Sequence, residues 1–77
     1  MEIPKYVDLF RKDLELKNYA VSSIENYSSQ ISIFLNYFNV IFTEPAKINE
    51  QSIKDWLLNF NSINSRKHNL SALKLFY

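Results

Sequence analysis

Apolar side chains recur at three- and four-residue spacing in four stretches of this chain, separated by short polar segments. In the first, Tyr6, Val7, Leu9, Phe10 and Leu14 form a stripe, with Asp8, Arg11, Lys12, Asp13, Glu15 and Lys17 around it. Pro4 suits the opening turn of this helix, where a missing N–H costs nothing. Asp8 and Lys12 stand as an acid-to-base i,i+4 pair. Asn18-Tyr19-Ala20-Val21 breaks the pattern.

The second stretch has the cleanest stripe, Ile24, Tyr27, Ile31, Phe34, Leu35 and Phe38, and predicts a helix from about Ser23 to Phe38. Ser22 and Glu25 have the spacing of a capping box, in which hydroxyl and carboxylate satisfy two free N–H groups reciprocally. Ser22, Ser23, Asn26, Ser29, Gln30 and Ser32 make an opposite face almost without charge. Residues 39–48 form a connector containing Pro45, whose Val40, Ile41 and Phe42 are expected to tuck against the core. Asn49 caps a third helix, Glu50 to about Phe60, with Ile48 and Ile53 at the positions of a hydrophobic staple. Ile53, Trp56, Leu57 and Phe60 are its inward residues.

Asn59, Asn61 and Ser62 mark the turn into a fourth helix, with Ser62 as its N-cap. Leu70, Leu73 and Tyr77, with Ile63 earlier, make its expected core side. Asn64, Ser65, Lys67, His68, Asn69, Ser71 and Ala72 make the outer side. Leu75 and Phe76 do not both fit the stripe, so an open apolar surface is expected there. The pattern as a whole predicts an all-α bundle of four or five helices, a single domain over residues 1–77.

Composition removes several classes of chemistry. Without glycine there is no phosphate-binding P-loop or dinucleotide fingerprint. Without cysteine there is no disulfide framework, thiol nucleophile or thiolate metal site, and a single histidine does not make a metal centre. No cofactor is implied. No apolar run approaches the roughly 20 residues of a membrane span, and Met-Glu-Ile-Pro-Lys does not resemble a secretory leader, so a soluble cytoplasmic chain is expected. His68 has no serine or cysteine signature around it. None of Tyr6, Tyr19, Tyr27, Tyr37 and Tyr77 has the cluster of arginines or lysines that a tyrosine nucleophile requires. No catalytic constellation emerges.

The net charge of +1 is unevenly distributed. Residues 1–60 carry six Lys/Arg and eight Asp/Glu, whereas residues 61–77 carry three Lys/Arg and no acid. A local field of this sign favours a polyanion more than the total charge suggests.

Three segments carry a family resemblance. Ser22-Ser23-Ile24-Glu25-Asn26-Tyr27, followed by Ile31 and Phe34-Leu35, resembles a helix of the phage-integrase and Xer-type tyrosine recombinases. Ser65-Arg66-Lys67-His68-Asn69-Leu70-Ser71-Ala72-Leu73-Lys74-Leu75-Phe76-Tyr77 resembles that family's S-x-x-R-R-L-S-A-L-R-x-F-Y helix. Between them, Ile48 with Gln51-Ser52-Ile53-Lys54-Asp55-Trp56-Leu57 sits where the family has a related segment. Order and spacing agree from about Tyr6 to Tyr77.

The resemblance implies a SAM-like orthogonal bundle, the N-terminal core-binding domain of a recombinase. In that family this domain and a catalytic domain of the same chain clamp double-stranded DNA from opposite sides. The second and fourth helices face the duplex. Carried onto this sequence, the candidate DNA-binding residues are Ser22, Ser23, Asn26 and Gln30 with Asn64, Ser65, Lys67, His68 and Asn69. Partners implied are duplex DNA, the catalytic domain of the parent chain and other recombinase protomers. Departures weaken the expected phosphate contact: Glu25, Ser28 and Ser29 stand where relatives often carry arginine, and His68-Asn69 replaces an arginine pair. Weak DNA binding by this piece alone is therefore expected, with catalysis residing elsewhere. The alternative is a helical protein-interaction module, favoured by the near-neutral charge, the polar uncharged faces and the apolar end at Leu75-Phe76.

Overall fold

The computed structural model describes residues 1–60 and 62–77; Asn61, named above as part of a turn, lies outside the described residues. Four α-helices follow one another: α1 (Ile3–Leu16), α2 (Val21–Phe38), α3 (Glu50–Leu57) and α4 (Ile63–Phe76). A short 3-10 turn, Pro45–Lys47, interrupts the connector between α2 and α3. No strand occurs among the described residues, and the all-α bundle is as the periodicity predicts. The principal extents are 31, 29 and 15 Å. Since one helix with its side chains is about 10–12 Å across, a body this thin leaves an outward face on its helices.

The break after α1 is a helix-terminating motif built without glycine. Asn18 takes the left-handed conformation at φ 62°. The N–H of Tyr19 bonds to the carbonyl of Leu14 at 3.1 Å, and that of Asn18 to the carbonyl of Glu15 at 3.0 Å. These are the two bonds of a Schellman ending, and asparagine is the residue that tolerates its left-handed position after glycine. The turn sends α2 back along α1, and these two helices make the most extensive packing in the molecule.

Helix α2 begins earlier than the capping-box spacing predicts. The carbonyl of Ala20 accepts from the N–H of Ile24 at 3.0 Å, so Ala20 is the N-cap and Ser22 is already inside the first turn. The Ser22–Glu25 box is therefore not formed. Asn18 and Tyr19 are committed by the preceding turn, and Ala20, next in the chain, opens α2. Asn49 caps α3 as expected, its Oδ1 accepting from the N–H of Ser52 at 2.8 Å. The helix it opens is shorter than predicted, ending at Leu57 instead of Phe60. Ser62 occupies the N-cap of α4, but its hydroxyl makes no capping bond.

Phe34 is fully buried and is the hub of the core. Its ring meets Phe38 at 5.2 Å, Trp56 of α3 at 5.0 Å and Tyr77, just past α4, at 6.3 Å, all edge-on. Phe10 of α1 meets Phe76 of α4 edge-on at 5.6 Å. Each such pair adds about 1 kcal/mol to plain area burial. Leu14, Ile24, Ile31, Leu35, Ile48, Ala72 and Leu73 complete the buried cluster.

Several expectations fail in ways the packing explains. Leu75 and Phe76 both pack in part against the core, so the apolar surface expected there is reduced to what these half-buried side chains leave open. Of Val40, Ile41 and Phe42, only Phe42 packs inward, its ring 5.7 Å from Phe38, while Val40 is 93% exposed. Leu9 is outside the core as well, because Phe10 and Leu14 define the buried line of α1. The Asp8–Lys12 pair is not formed among the described residues, whose ion pairs are Asp13–Lys17 at 2.9 Å and Glu50–Lys54 at 3.3 Å. Both lie in solvent and hold little energy.

The largest correction concerns α4. Asn69, Ala72 and Leu73 are its buried residues, whereas Ile63 and Leu70 are exposed. The helix is turned by about one residue from the predicted stripe. The cause is visible at its end: Phe76 and Tyr77 are drawn onto Phe10 and Phe34, and a helix that seats Phe76 inward also seats Ala72, Leu73 and Asn69.

Candidate nucleic-acid interface

Helices α2 and α4 pack against each other, and one aromatic contact marks their outer seam. The imidazole of His68 lies over the ring of Tyr27, with centroids 5.3 Å apart and planes 16° from parallel. Tyr19 continues the row, its ring 6.5 Å from that of Tyr27. All three side chains are half-buried. At 100° per residue, the edge of α2 next to Tyr27 carries Ser23 and Gln30, and the edge of α4 next to His68 carries Asn64 and Ser71. The seam is thus an aromatic floor bordered by hydroxyls and amides.

The nine residues expected to meet DNA separate into three groups. Ser22, Asn26, Asn64 and Lys67 are exposed. Ser23, Gln30 and His68 are half-buried at the seam. Ser65 and Asn69 are on the inner side of α4: Asn69 is only 3% exposed, and its Nδ2 donates to the carbonyl of Ser65 at 2.8 Å. The expectation that Asn69 stands on the outer face is therefore corrected. Sequence reasoning left Ser71 and Lys74 out of the DNA-binding set, although they share the exposed side of α4 with Asn64 and Lys67. The signal is present, since Lys74 stands where the recombinase helix has an arginine, but the apolar Leu70 reads as core and pulls the expected face round with it.

The electrostatics follow the rotated face. Lys67 and Lys74 are exposed and no acid lies on α4. Arg66 is half-buried and its Nε donates to the carbonyl of Phe60 at 2.6 Å, which ties the start of α4 to the segment that follows α3. That cation is held by the scaffold, leaving two lysines as the free charges of the face.

A family model, phage integrase N-terminal SAM-like domain, matches residues 7–77. The chain belongs to this family. No curated protein and no solved structure matches it. The match runs from within α1 of this SAM-like domain to the end of the chain as given, with both sides of the Tyr27–His68 seam inside it.

The outer face of α2 in the SAM-like domain changes character along its length. Ser22, Asn26 and Ser29 run into Ile33 and Tyr37 at the same helical spacing, and Val40 and Ile41 continue beyond the helix end. These four apolar side chains are all more than half exposed. Among the described residues no cluster of potential metal ligands occurs, and no helix is long and apolar enough to cross a membrane.

Proposed function

We propose that this chain is the DNA-clamping, non-catalytic half of a tyrosine site-specific recombinase acting in the cytoplasm. The parent protein's catalytic domain carries out strand exchange in DNA integration or recombination. The SAM-like half holds duplex DNA at the recombination site and sets its register. Family membership supports the class of process. The observation that carries the DNA reading is the α2–α4 seam, where uncharged polar groups of α2 meet an acid-free, lysine-bearing face of α4 across the Tyr27–His68 stack. Lys67 and Lys74 supply phosphate contacts, while Ser22, Ser23, Asn26, Gln30, Asn64 and Ser71 supply short hydrogen bonds to backbone or base edges. Ser65 and Asn69 act from behind, by fixing the inner side of α4. With two free lysines the electrostatic part of affinity is small, and tight binding depends on the partner domain.

A titration of the isotope-labelled domain with a short random duplex tests this by NMR, at low and then moderate salt. Salt-sensitive shifts at Ser22–Gln30, Asn64–His68, Ser71 and Lys74 are the expected result. No shift at millimolar duplex would overturn it.

A protein-interaction module is the alternative, and one observation favours it: the exposed apolar run of Ile33, Tyr37, Val40 and Ile41. Contact through that run would be insensitive to salt, which separates it from DNA binding.

A further inference from the structure

At the other end of α4 a shallow open cavity of about 280 Å³ is lined by Tyr6, Glu44, Pro45, Ala46, Phe76 and Tyr77. Three of the six are aromatic, and Glu44 has the sole charged side chain in the lining. Lys5 and Lys47 are sequence neighbours of the lining residues but do not contribute to it. The Glu44 carboxylate makes no ion pair and no capping hydrogen bond among the described residues. Its backbone is extended, at φ −142° and ψ 146°, immediately before the 3-10 turn.

Tyr77 supplies the second polar group. Its hydroxyl donates to the carbonyl of Pro45 at 2.8 Å, so its proton is committed and its oxygen is left as an acceptor. The ring is held in place by edge contacts to Phe34 at 6.3 Å and Phe76 at 5.1 Å. The cleft therefore combines aromatic walls, a fixed acceptor and an unpaired carboxylate. A planar cation satisfies all three: it is attracted to aromatic faces, forks onto a carboxylate and has N–H groups to spare for a phenol oxygen. An anion would meet Glu44, and a purely apolar group would leave its carboxylate facing a dry contact.

We infer that the cleft between the 3-10 turn and the end of α4 is a receptor for an arginine side chain presented by a protein partner. The guanidinium sits against Tyr6 and Phe76, pairs with the Glu44 carboxylate and donates to Tyr77 Oη. This contact is separate from the α2–α4 seam and does not depend on the DNA reading. It gives the domain a protein contact that DNA does not occupy.

The test is an NMR titration of the 77-residue chain, amidated at Tyr77 so that no terminal carboxylate joins the lining, with Nα-acetyl-arginine amide and with the citrulline analogue as neutral isostere. Saturating millimolar shifts at Tyr6, Glu44, Ala46, Phe76 and Tyr77 are expected, with citrulline binding about tenfold more weakly. Glu44→Gln should weaken the arginine amide by a similar factor. Glu15→Gln, an exposed acid on α1, should leave it unchanged. Both variants alter exposed side chains, so the spectrum itself reports that the fold is intact. Equal shifts with citrulline, shifts that grow without saturating, or an equal loss in Glu15→Gln would each overturn the proposal.

Discussion

His68 stacks on Tyr27 across the α2–α4 boundary, centroids 5.3 Å apart and planes nearly parallel. The contact lies between the small polar residues of one helix and the free lysines of the other, so it sets the spacing of two surfaces that a duplex would meet together. His68→Ala removes the stack and should cost about 1 kcal/mol of stability, whereas His68→Phe keeps an aromatic plane and should cost less than half as much. Urea unfolding of the two variants measures this. Equal losses would mean that the stack holds no stability of its own and that the seam is positioned by the core alone.

The free lysines give a prediction in salt. Removing one phosphate-binding cation lowers the dependence of log K on log salt by about 0.9 for duplex DNA. Lys67→Gln and Lys74→Gln should each reduce the slope by roughly that amount and weaken binding about equally across unrelated sequences. Lys12→Gln, on the exposed side of α1, should leave the slope alone. Fluorescence anisotropy over a range of salt concentrations supplies the slopes. An unchanged slope in both α4 variants would remove α4 from the interface.

Asn18 is the residue with positive φ among the described residues, in a chain with no glycine. Its φ of 62° lets the Tyr19 and Asn18 N–H groups reach back to Leu14 and Glu15. Asn18→Ala pushes a Cβ without a compensating amide into that conformation and should cost about 1 kcal/mol; Asn18→Gly should be neutral or stabilising. The pair of variants separates backbone strain from any contact of the asparagine amide. Equal destabilisation by both would assign the effect to the amide, and thermal melts decide between them.

How legible the fold was depended on how concentrated each apolar stripe is. On α2 the apolar stripe is continuous, so Ile24, Ile31, Phe34, Leu35 and Phe38 were readable as core and are buried, although Ile33 and Tyr37 lie on the exposed side. On α4 the apolar residues are spread around the helix, and the buried line includes Asn69 and Ala72, which no hydrophobicity pattern selects. Long-range contacts, such as those of Phe76 with Phe10 and of Tyr77 with Phe34, fix that helix's rotation. The candidate site inherited this asymmetry: the α2 residues fell on its open or half-open face, while on α4 Asn69 turned inward and Ser65 is half-buried beside it. Ser28 shows a similar limit, being buried with no partner for its hydroxyl. The start of α2 differs because a local capping signal at Ser22 loses to the backbone bonds of the preceding turn.

Tyr77 predicts how the fold responds to alkali. Burial pushes its phenol up from 10.0 to about 12. Desolvation disfavours the phenolate, so the folded state keeps the proton at a pH where the unfolded chain releases it. Below about pH 10 both states are protonated and the contribution of Tyr77 is fully present. As pH rises from about 10 towards 12 the unfolded state ionises first, and that contribution is lost. Tyr77→Phe has no such step, but it also lacks the hydrogen bond to the Pro45 carbonyl. The variant should therefore be less stable than the parent at about pH 8, with the gap narrowing as pH is raised to about 11. Urea midpoints for the two proteins over that range are the measurement. Curves that stay parallel would show that the phenol ionises alike in both states, and that Tyr77 is less enclosed than its contacts with Phe34 and Pro45 require.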